Sequence, residues 1–507
     1  MLIMKKDYKI KIIALLLILS FIVFPLLISC GDGNGKNTDG ENNNNQSPAE
    51  NIDPANENNN ESETEPPAEE LYPYTAYDFK GETVNILARK DNWAGGSQDY
   101  DDLFVEGETG EVLNDAVYKR NQTVGEKYNV QIAVSHVADA SGTIQKSIKA
   151  GDDDYQIIQE KLVFMSATLA PQNYLIDLKS VVSINLSAPW YNRNAIKDLS
   201  INNKITVLGG DMTISDKSGV IMTVFSKKLT EQYALENLYA TVRDGKWTLD
   251  KMYELMMQTT ADLDGDGRLT FKDDQWGLVC EDYGGWMLSV ASGNRLADLD
   301  ENGMPYMTCV TEKNVSDYEK IKKILYEKQG RAESSDPEEH VRVFVENRCF
   351  LSIDVLSSIT TLRGMENDFG IIPLPKQDEN QKDYIATISP WVSRFIAMPS
   401  TCGNPEMAGA VIDAMSRESV NTVVPAYYNN LLNQKIARDE ESIDMLKQIF
   451  SSVVYDIGSV FSWGGIWDQQ HTFISTKKED YIGFYEKIQG KVEAALEKTI
   501  ETMQQFD

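Results

Sequence analysis

The chain has 507 residues, with 48 Lys and Arg against 78 Asp and Glu, and a formal charge of −30. This acidic balance argues against gripping nucleic acid, whose phosphate backbone demands clustered Lys and Arg. The three histidines, His136, His340 and His471, lie far apart in sequence, which excludes a His-rich zinc site and HExxH protease chemistry. GxSxG, GxxxxGK and a helix-opening GxGxxG are missing as well, and with them three common enzyme signatures. Apolar residues at 42% are ordinary for a globular protein, so most of the chain is expected to fold.

The first thirty residues read as a targeting segment. Lys5, Lys6, Lys9 and Lys11 form a basic start, residues 12–28 are almost wholly apolar, and the run ends Leu27-Ile28-Ser29-Cys30. This resembles the lipobox of bacterial lipoproteins, in which the cysteine is acylated and becomes the mature N-terminus. The expected assignment is a signal peptide over 1–30 with Cys30 lipidated, because two or three acyl chains hold a soluble body stably on a membrane. An uncleaved helix anchor is the competing reading, since a largely apolar stretch of seventeen residues sits at the lower edge of spanning length.

Residues 31–79 are expected to be a disordered tether. Between Gly31 and Glu70, Ile52 is the only large aliphatic residue, and eleven acids face one lysine. Such a segment cannot bury enough apolar area to offset its ordering entropy. Forty flexible residues span roughly 35 Å, and self-repulsion extends them further. Beyond Cys30, the thiols of Cys280, Cys309, Cys349 and Cys402 match no zinc ribbon and are expected to be free and buried.

The folded body opens with βα units. Thr83–Ala88 predicts a strand, and Leu113, Val117, Val124 and Tyr128 form a helical stripe. Val130, Ile132 and Val134 alternate as the next strand; a helix near 143–149 then leads through Gly151-Asp152-Asp153-Asp154 to a strand at 155–158. Strands alternating with helices argue for a parallel sheet with ligand crevices at the strands' carboxyl ends. Further strands are expected at 205–209 and 220–225, and a helix over 229–240. Thr248 reads as the N-cap of another helix, and Tyr481, Phe484, Ile488, Val492, Leu496 and Met503 as the stripe of one long C-terminal helix.

Four stretches carry a resemblance. They are residues 109–121 (TGEVLNDAVYKRN), Asp244-Gly245-Lys246-Trp247-Thr248, Asp274-Gln275-Trp276-Gly277-Leu278 and residues 368–376 (DFGIIPLPK). In this order they resemble the extracellular solute-binding proteins of family 1, the lipoprotein receptors of ABC-type carbohydrate importers. The resemblance implies an α/β, two-lobe periplasmic-binding-protein-like fold of type II with a hinge. One lobe is then expected at 80–200 plus 388–428 and the other at 201–387 plus 429–507. It further implies a monomer outside the cytoplasm that serves permease and ATPase subunits. Closure on ligand requires contacts from both lobes, because only differential affinity shifts such an equilibrium.

Residues 262–273 have EF-hand spacing. Asp262, Asp264 and Asp266 take positions 1, 3 and 5; Gly267 supplies the turn at 6; the Arg268 carbonyl falls at 7, Thr270 at 9 and Asp273 at 12. Hard Ca²⁺ needs such an array of oxygens, and a structural rather than sensing role is expected. Asp273 stands where an EF-hand has Glu, which resembles dockerin loops, with Asp274 as the alternative.

Sugars present apolar CH faces and rings of hydroxyls, so aromatic platforms beside polar groups are the expected contacts. Trp93 follows the first strand, Trp190 and Trp391 lie near the proposed crossings, and Trp286 and Trp463 adjoin glycines. Asp211, after Gly209-Gly210, is a candidate hydroxyl acceptor. Trp247 and Trp276 read as structural, and Tyr427-Tyr428-Asn429-Asn430 stays open between cleft lining and helix joining. The expected function is a membrane-anchored receptor that captures a carbohydrate and performs no chemistry. The alternatives are the same role for a peptide or polyamine, a surface glycan-binding protein, or a glycoside hydrolase with paired carboxylates.

Overall fold

The computed structural model describes residues 74–90, 101–281, 283–326, 331–332, 337–433, 439–475 and 480–505. The signal segment, Cys30, the tether up to residue 73 and Trp93 lie outside the described residues. The strands run β1 (Glu82–Arg89), β2 (Val130–Val137), β3 (Ile157–Lys161), β4 (Ile221–Ser226) and β5 (Trp276–Cys280). Next come β6 (Ala297–Leu299), β7 (Pro305–Met307), β8 (Arg331–Ala332), β9 (Cys349–Val355) and β10 (Phe369–Ile372), then β11 (Ala386–Thr387), β12 (Arg394–Ala397) and β13 (Val453–Val454). The helices used below are α1 (Val112–Tyr128), α2 (Ala140–Ala150), α3 (Leu249–Thr259), α4 (Gly284–Ala291), α5 (Pro405–Asn421), α6 (Ile457–Phe461), α7 (Ile466–Ser475) and α8 (Tyr481–Gln504).

Two main sheets organise the body. The first has the order β12-β3-β1-β2, with β1 parallel to β2 and β3 and β12 antiparallel to β3. The second has the order β10-β4-β9-β5-β8, parallel at β9-β5-β8 and antiparallel at β10-β4-β9. The opening βα units are parallel as their alternation requires, because α1 and α2 supply the crossovers. Val84, Ile86 and Ala88 face one hydrophobic cluster with Val124 and Tyr128 of α1 and Val411 and Met415 of α5, while Leu87 faces the other. In the second sheet every residue of β4, β5 and β10 is buried, the pattern of strands covered on both faces.

Caps explain the helix boundaries. Thr248 accepts from the Lys251 N–H and opens α3, and α1 ends on Asn129 in the left-handed conformation at φ 47°. The C-terminal stripe forms one helix, α8, which buries Tyr481, Tyr485, Val492, Leu496 and Met503.

Four expectations are corrected. Residues 74–79, expected within the tether, pack on the body: Tyr77 and Phe79 set their rings against Tyr128 at 5.5 and 6.1 Å, and the Phe79 N–H donates to the Tyr128 carbonyl at 2.9 Å. Residues 205–209 form no strand; a single bridge pairs Leu208 with Ile396 at the edge of the first sheet. The helix expected over 229–240 is two short helices, Lys227–Gln232 and Leu238–Arg243, separated by a turn with Ala234 at φ 50°. The third strand begins at Ile157 and extends to Lys161, because its ladder is set by pairing with β1 and β12.

Chain crossings join the sheets. Val220 and Ile388 form an antiparallel bridge, and the Ser389 N–H donates to the Gly219 carbonyl at 2.7 Å. A Cβ on Gly219 would meet the Ser389 carbonyl at 2.7 Å, so glycine is what lets the two crossing strands lie together. β11 pairs with β13 beside them. Cys280, Cys309, Cys349 and Cys402 are free and buried. No helix among the described residues is long and apolar enough to cross a membrane.

Candidate functional site

The carboxyl ends of the parallel strands carry a continuous aromatic wall. Arg89 ends β1, Phe164 lies three residues past β3, and Tyr283 lies three past β5. Trp391 precedes β12, whose antiparallel course brings its start to the same end of the first sheet. Trp467 and His471 project from consecutive turns of α7. Trp391 stacks on Trp467 with centroids 6.0 Å apart, and Tyr283 stacks on Trp467 at 4.8 Å. Phe164 sets its edge against Trp391 at 5.4 Å, and His471 lies 4.6 Å from Tyr283. The wall therefore joins side chains from the ends of both sheets.

Charge closes one end of the wall. The Arg89 guanidinium lies 5.3 Å from the Phe164 ring and pairs with Glu160 at 3.2 Å. Glu160 is fully buried: burial pushes its carboxyl up, opposed by the Lys161 and Ser141 N–H donors and by Arg89. Farther along the wall, the indole Nε1 of Trp391, that of Trp467 and His471 Nδ1 are buried with no hydrogen-bond partner among the described residues. A buried N–H without a partner costs about 1–3 kcal/mol, so these groups favour a ligand or solvent oxygen beside them.

Of the tryptophans singled out by sequence, the structure brings Trp391 and Trp286 to this wall. Trp391 stands in it. Trp286, 2% exposed, lies behind it with its ring perpendicular to Trp467 at 5.7 Å. Trp190 is buried elsewhere, its indole donating to Asp413, which also accepts from the Tyr191 hydroxyl. Trp463 is buried against α8: it donates to Thr499 at 2.9 Å and stacks on Phe461. Its neighbour Gly464 has φ 63° and would drive a Cβ to 2.8 Å from the Val492 N, so that glycine serves close packing on α8 rather than a cleft.

Asp211 belongs to a separate charged group at the first crossing. Lys217 lies 3.5 Å from Asp211 and 3.1 Å from Asp216. Burial pushes the Asp216 carboxyl up to about 6 despite Lys217, whereas the two carboxylates together outweigh the desolvation of Lys217 and raise its ammonium. The direction for the group as a whole is a retained lysine charge shared by two partly desolvated acids. Tyr428 lies within the influence of all three, which attaches the Tyr427-Tyr428 run to this crossing.

Tyr283, Phe164, His471 and Arg89 were not singled out by sequence, and Trp467 was marked only by its place, with Trp463, flanking Gly464-Gly465. Their one shared signal is position, because several lie within three residues of a strand's end; nothing in the sequence announces that α7 folds back across these ends.

The acidic loop is built by its own backbone. Asp262 accepts from the Gly265 and Gly267 N–H groups, Asp264 from Asp266, and Asp266 from Arg268. Carboxylate oxygens of Asp262, Asp264 and Asp274 lie within 4.8 Å of one another. Asp274 is fully buried and accepts from the Leu263 and Thr270 N–H groups, whereas Asp273 is exposed and pairs with Lys272. The Asp264 carboxyl is raised: the Asp266 N–H favours its charge, and slight desolvation with the neighbouring Asp266, Asp274 and Asp262 outweighs that. An all-oxygen donor set under mutual repulsion fits a hard divalent cation.

No protein-family model matches the sequence, and no curated protein matches it. Solved structures do match in fold. The ABC substrate-binding protein Lmo0181 from Listeria monocytogenes, in complex with cycloalternan, is 12% identical with a TM-score of 0.50, covering 84% of this chain and 98% of that one. The apo-form of RafE from Streptococcus pneumoniae gives 12% and 0.52 over the same shares of 84% and 98%. A cyclo/maltodextrin-binding protein complexed with maltotetraose gives 14% and 0.53, again over 84% and 98%. At these identities the likeness is one of fold. The chain has the α/β, two-lobe architecture of periplasmic binding proteins, and the structures it resembles are binding proteins.

Proposed function

We propose that this protein is an outward-facing receptor that captures a carbohydrate, an oligosaccharide, for uptake by an ABC-type importer. The observation that carries this reading is the aromatic wall drawn from both sheets. Its half-buried rings, Phe164, Tyr283 and Trp391, suit the CH faces of sugars, with Trp467 buried among them, and the unpartnered indole and imidazole nitrogens suit their hydroxyls. An extended row of rings suits several sugar units better than one. The fold neighbours bound to cycloalternan and maltotetraose support the same ligand class.

Capture requires no catalytic step, and the protein is read as a non-enzyme whose partners are permease and ATPase subunits. Acylation at Cys30 and the acidic tether hold the monomeric body at the membrane surface. One Ca²⁺ is held by the 262–274 loop, with Asp262, Asp264 and Asp266, the Arg268 carbonyl and Thr270 as the ligands of the EF-hand spacing. Asp274 takes the closing place in preference to Asp273, on the clustering of its carboxylate. The ion's role is to neutralise that loop.

The test is thermal unfolding of the protein in millimolar Ca²⁺ across mono- and oligosaccharides. A ligand at 100 times its Kd adds about 2.7 kcal/mol, which moves the midpoint by a few degrees. Oligosaccharides are expected to raise it. A flat response to every sugar, with a rise on peptides or polyamines, would replace the carbohydrate by one of those ligands.

A further inference from the structure

Behind the aromatic wall lies a small cavity of about 10 Å³, lined among others by Trp286, Arg295, Asp456 and Gln470. Each of these four contributes one buried polar atom that makes no well-formed hydrogen bond among the described residues, Trp286 Nε1, Arg295 Nη1, Asp456 Oδ2 and Gln470 Oε1, although Trp286 and Arg295 both lie near enough to Asp456 to favour its charged form. Trp286 is 2% exposed, Asp456 1% and Gln470 5%. The other polar atoms of the two acceptor groups are occupied. Asp456 Oδ1 accepts from the N–H groups of Leu296, Ala297 and Gly458, and Gln470 Nε2 donates to the Tyr481 hydroxyl. The orphaned atoms are therefore the ones turned to the cavity.

Their chemistry selects the occupant. Two are N–H donors and two are oxygen acceptors, which complements one water molecule with its two lone pairs and two hydrogens. A metal cation would meet the Arg295 charge and only two oxygens; an anion would meet the Asp456 carboxyl. A water needs roughly 10–15 Å³ of such space and two to four polar partners, and the cavity meets both conditions. We infer that one internal water bridges Trp286, Arg295, Asp456 and Gln470 as a fixed part of the structure, holding the back of the aromatic wall. It joins α4, the segment entering β6, the cap of α6, and α7. Trp286 rests on Trp467, and Gln470 is the residue before His471, so the water acts on the wall as a positioning group.

The assignment does not depend on what the cleft binds. A crystal structure of the protein with ordered solvent is expected to show one water within about 2.7–3.2 Å of all four atoms. A solvent-free cavity, or one closed by a direct Trp286–Asp456 hydrogen bond, would overturn the inference. In solution, magnetic relaxation dispersion of water ¹⁷O is expected to count one long-lived internal water fewer in Gln470→Leu than in the parent chain. An equal count in the two proteins refutes the site. Where Gln470→Leu does not fold, the parent crystal structure alone decides.

Discussion

Trp391 and Trp463 look alike in sequence and have different work in the fold. Each sits among small or polar residues, a context that suggests a cleft. Trp391 joins the wall, half-buried, with its Nε1 unpartnered among the described residues. Trp463 is 3% exposed and spends its N–H on Thr499. Replacing Trp391 by Ala is expected to weaken oligosaccharide binding 10- to 100-fold, about 1.4–2.8 kcal/mol, with the larger part of its effect on affinity. Trp463→Ala is expected to cost about 3–5 kcal/mol of stability and to leave the affinity of the folded protein within a few-fold. Calorimetric titration and denaturant unfolding of both variants separate the two roles. Equal affinity losses would mean that the wall is not the binding surface.

At the scale of elements, local chemistry made several segments legible. The Thr248 cap, the α1 stripe and the α8 stripe are readable because helix ends and amphipathic faces depend on residues only three or four apart. The break at Ala234 was not readable, since no Gly or Pro marks it and apolar residues continue across it. The acidic loop was readable from its spacing, because Asx-type bonds within a few residues build it. Which of two adjacent carboxylates joins the cluster was not: Asp274, buried beneath the loop, lies with Asp262 and Asp264, and Asp273 does not. Chelation of Ca²⁺ is expected to lower the unfolding midpoint by a few degrees, restored by added Ca²⁺. Asp264→Ala should unfold at the chelated midpoint whether or not Ca²⁺ is present. A midpoint unchanged by chelation in the parent chain would remove the calcium assignment.

At the scale of the whole molecule, the proposed ligand capture depends on two sheets meeting at one wall. Tyr283 follows a strand of the second sheet and Phe164 a strand of the first, yet Trp467 and Trp391 link them into one surface. Under the proposed function, a sugar held there would gain contacts from both sides only in a closed arrangement, and binding would shift the population toward it. Small-angle X-ray scattering is expected to show a smaller radius of gyration on adding the sugar that raises the unfolding midpoint. An unchanged radius with saturating sugar would favour a static glycan-binding surface over a closing receptor.

By itself the sequence determined what rests on near neighbours. The opening βα order, the helix caps, the acidic loop and the apolar run ending at Cys30 are all set within windows of a few to some thirty residues. The membership of the wall was decided by the tertiary structure alone. Arg89, Phe164, Tyr283, Trp391 and Trp467 span nearly four hundred positions, and they meet because antiparallel β12 and the returning α7 bring distant segments to the same strand ends. The same packing buries Trp190 and Trp463, because a large aromatic ring gains free energy wherever water is excluded. A tryptophan's sequence neighbours do not say whether a core or a ligand will exclude that water.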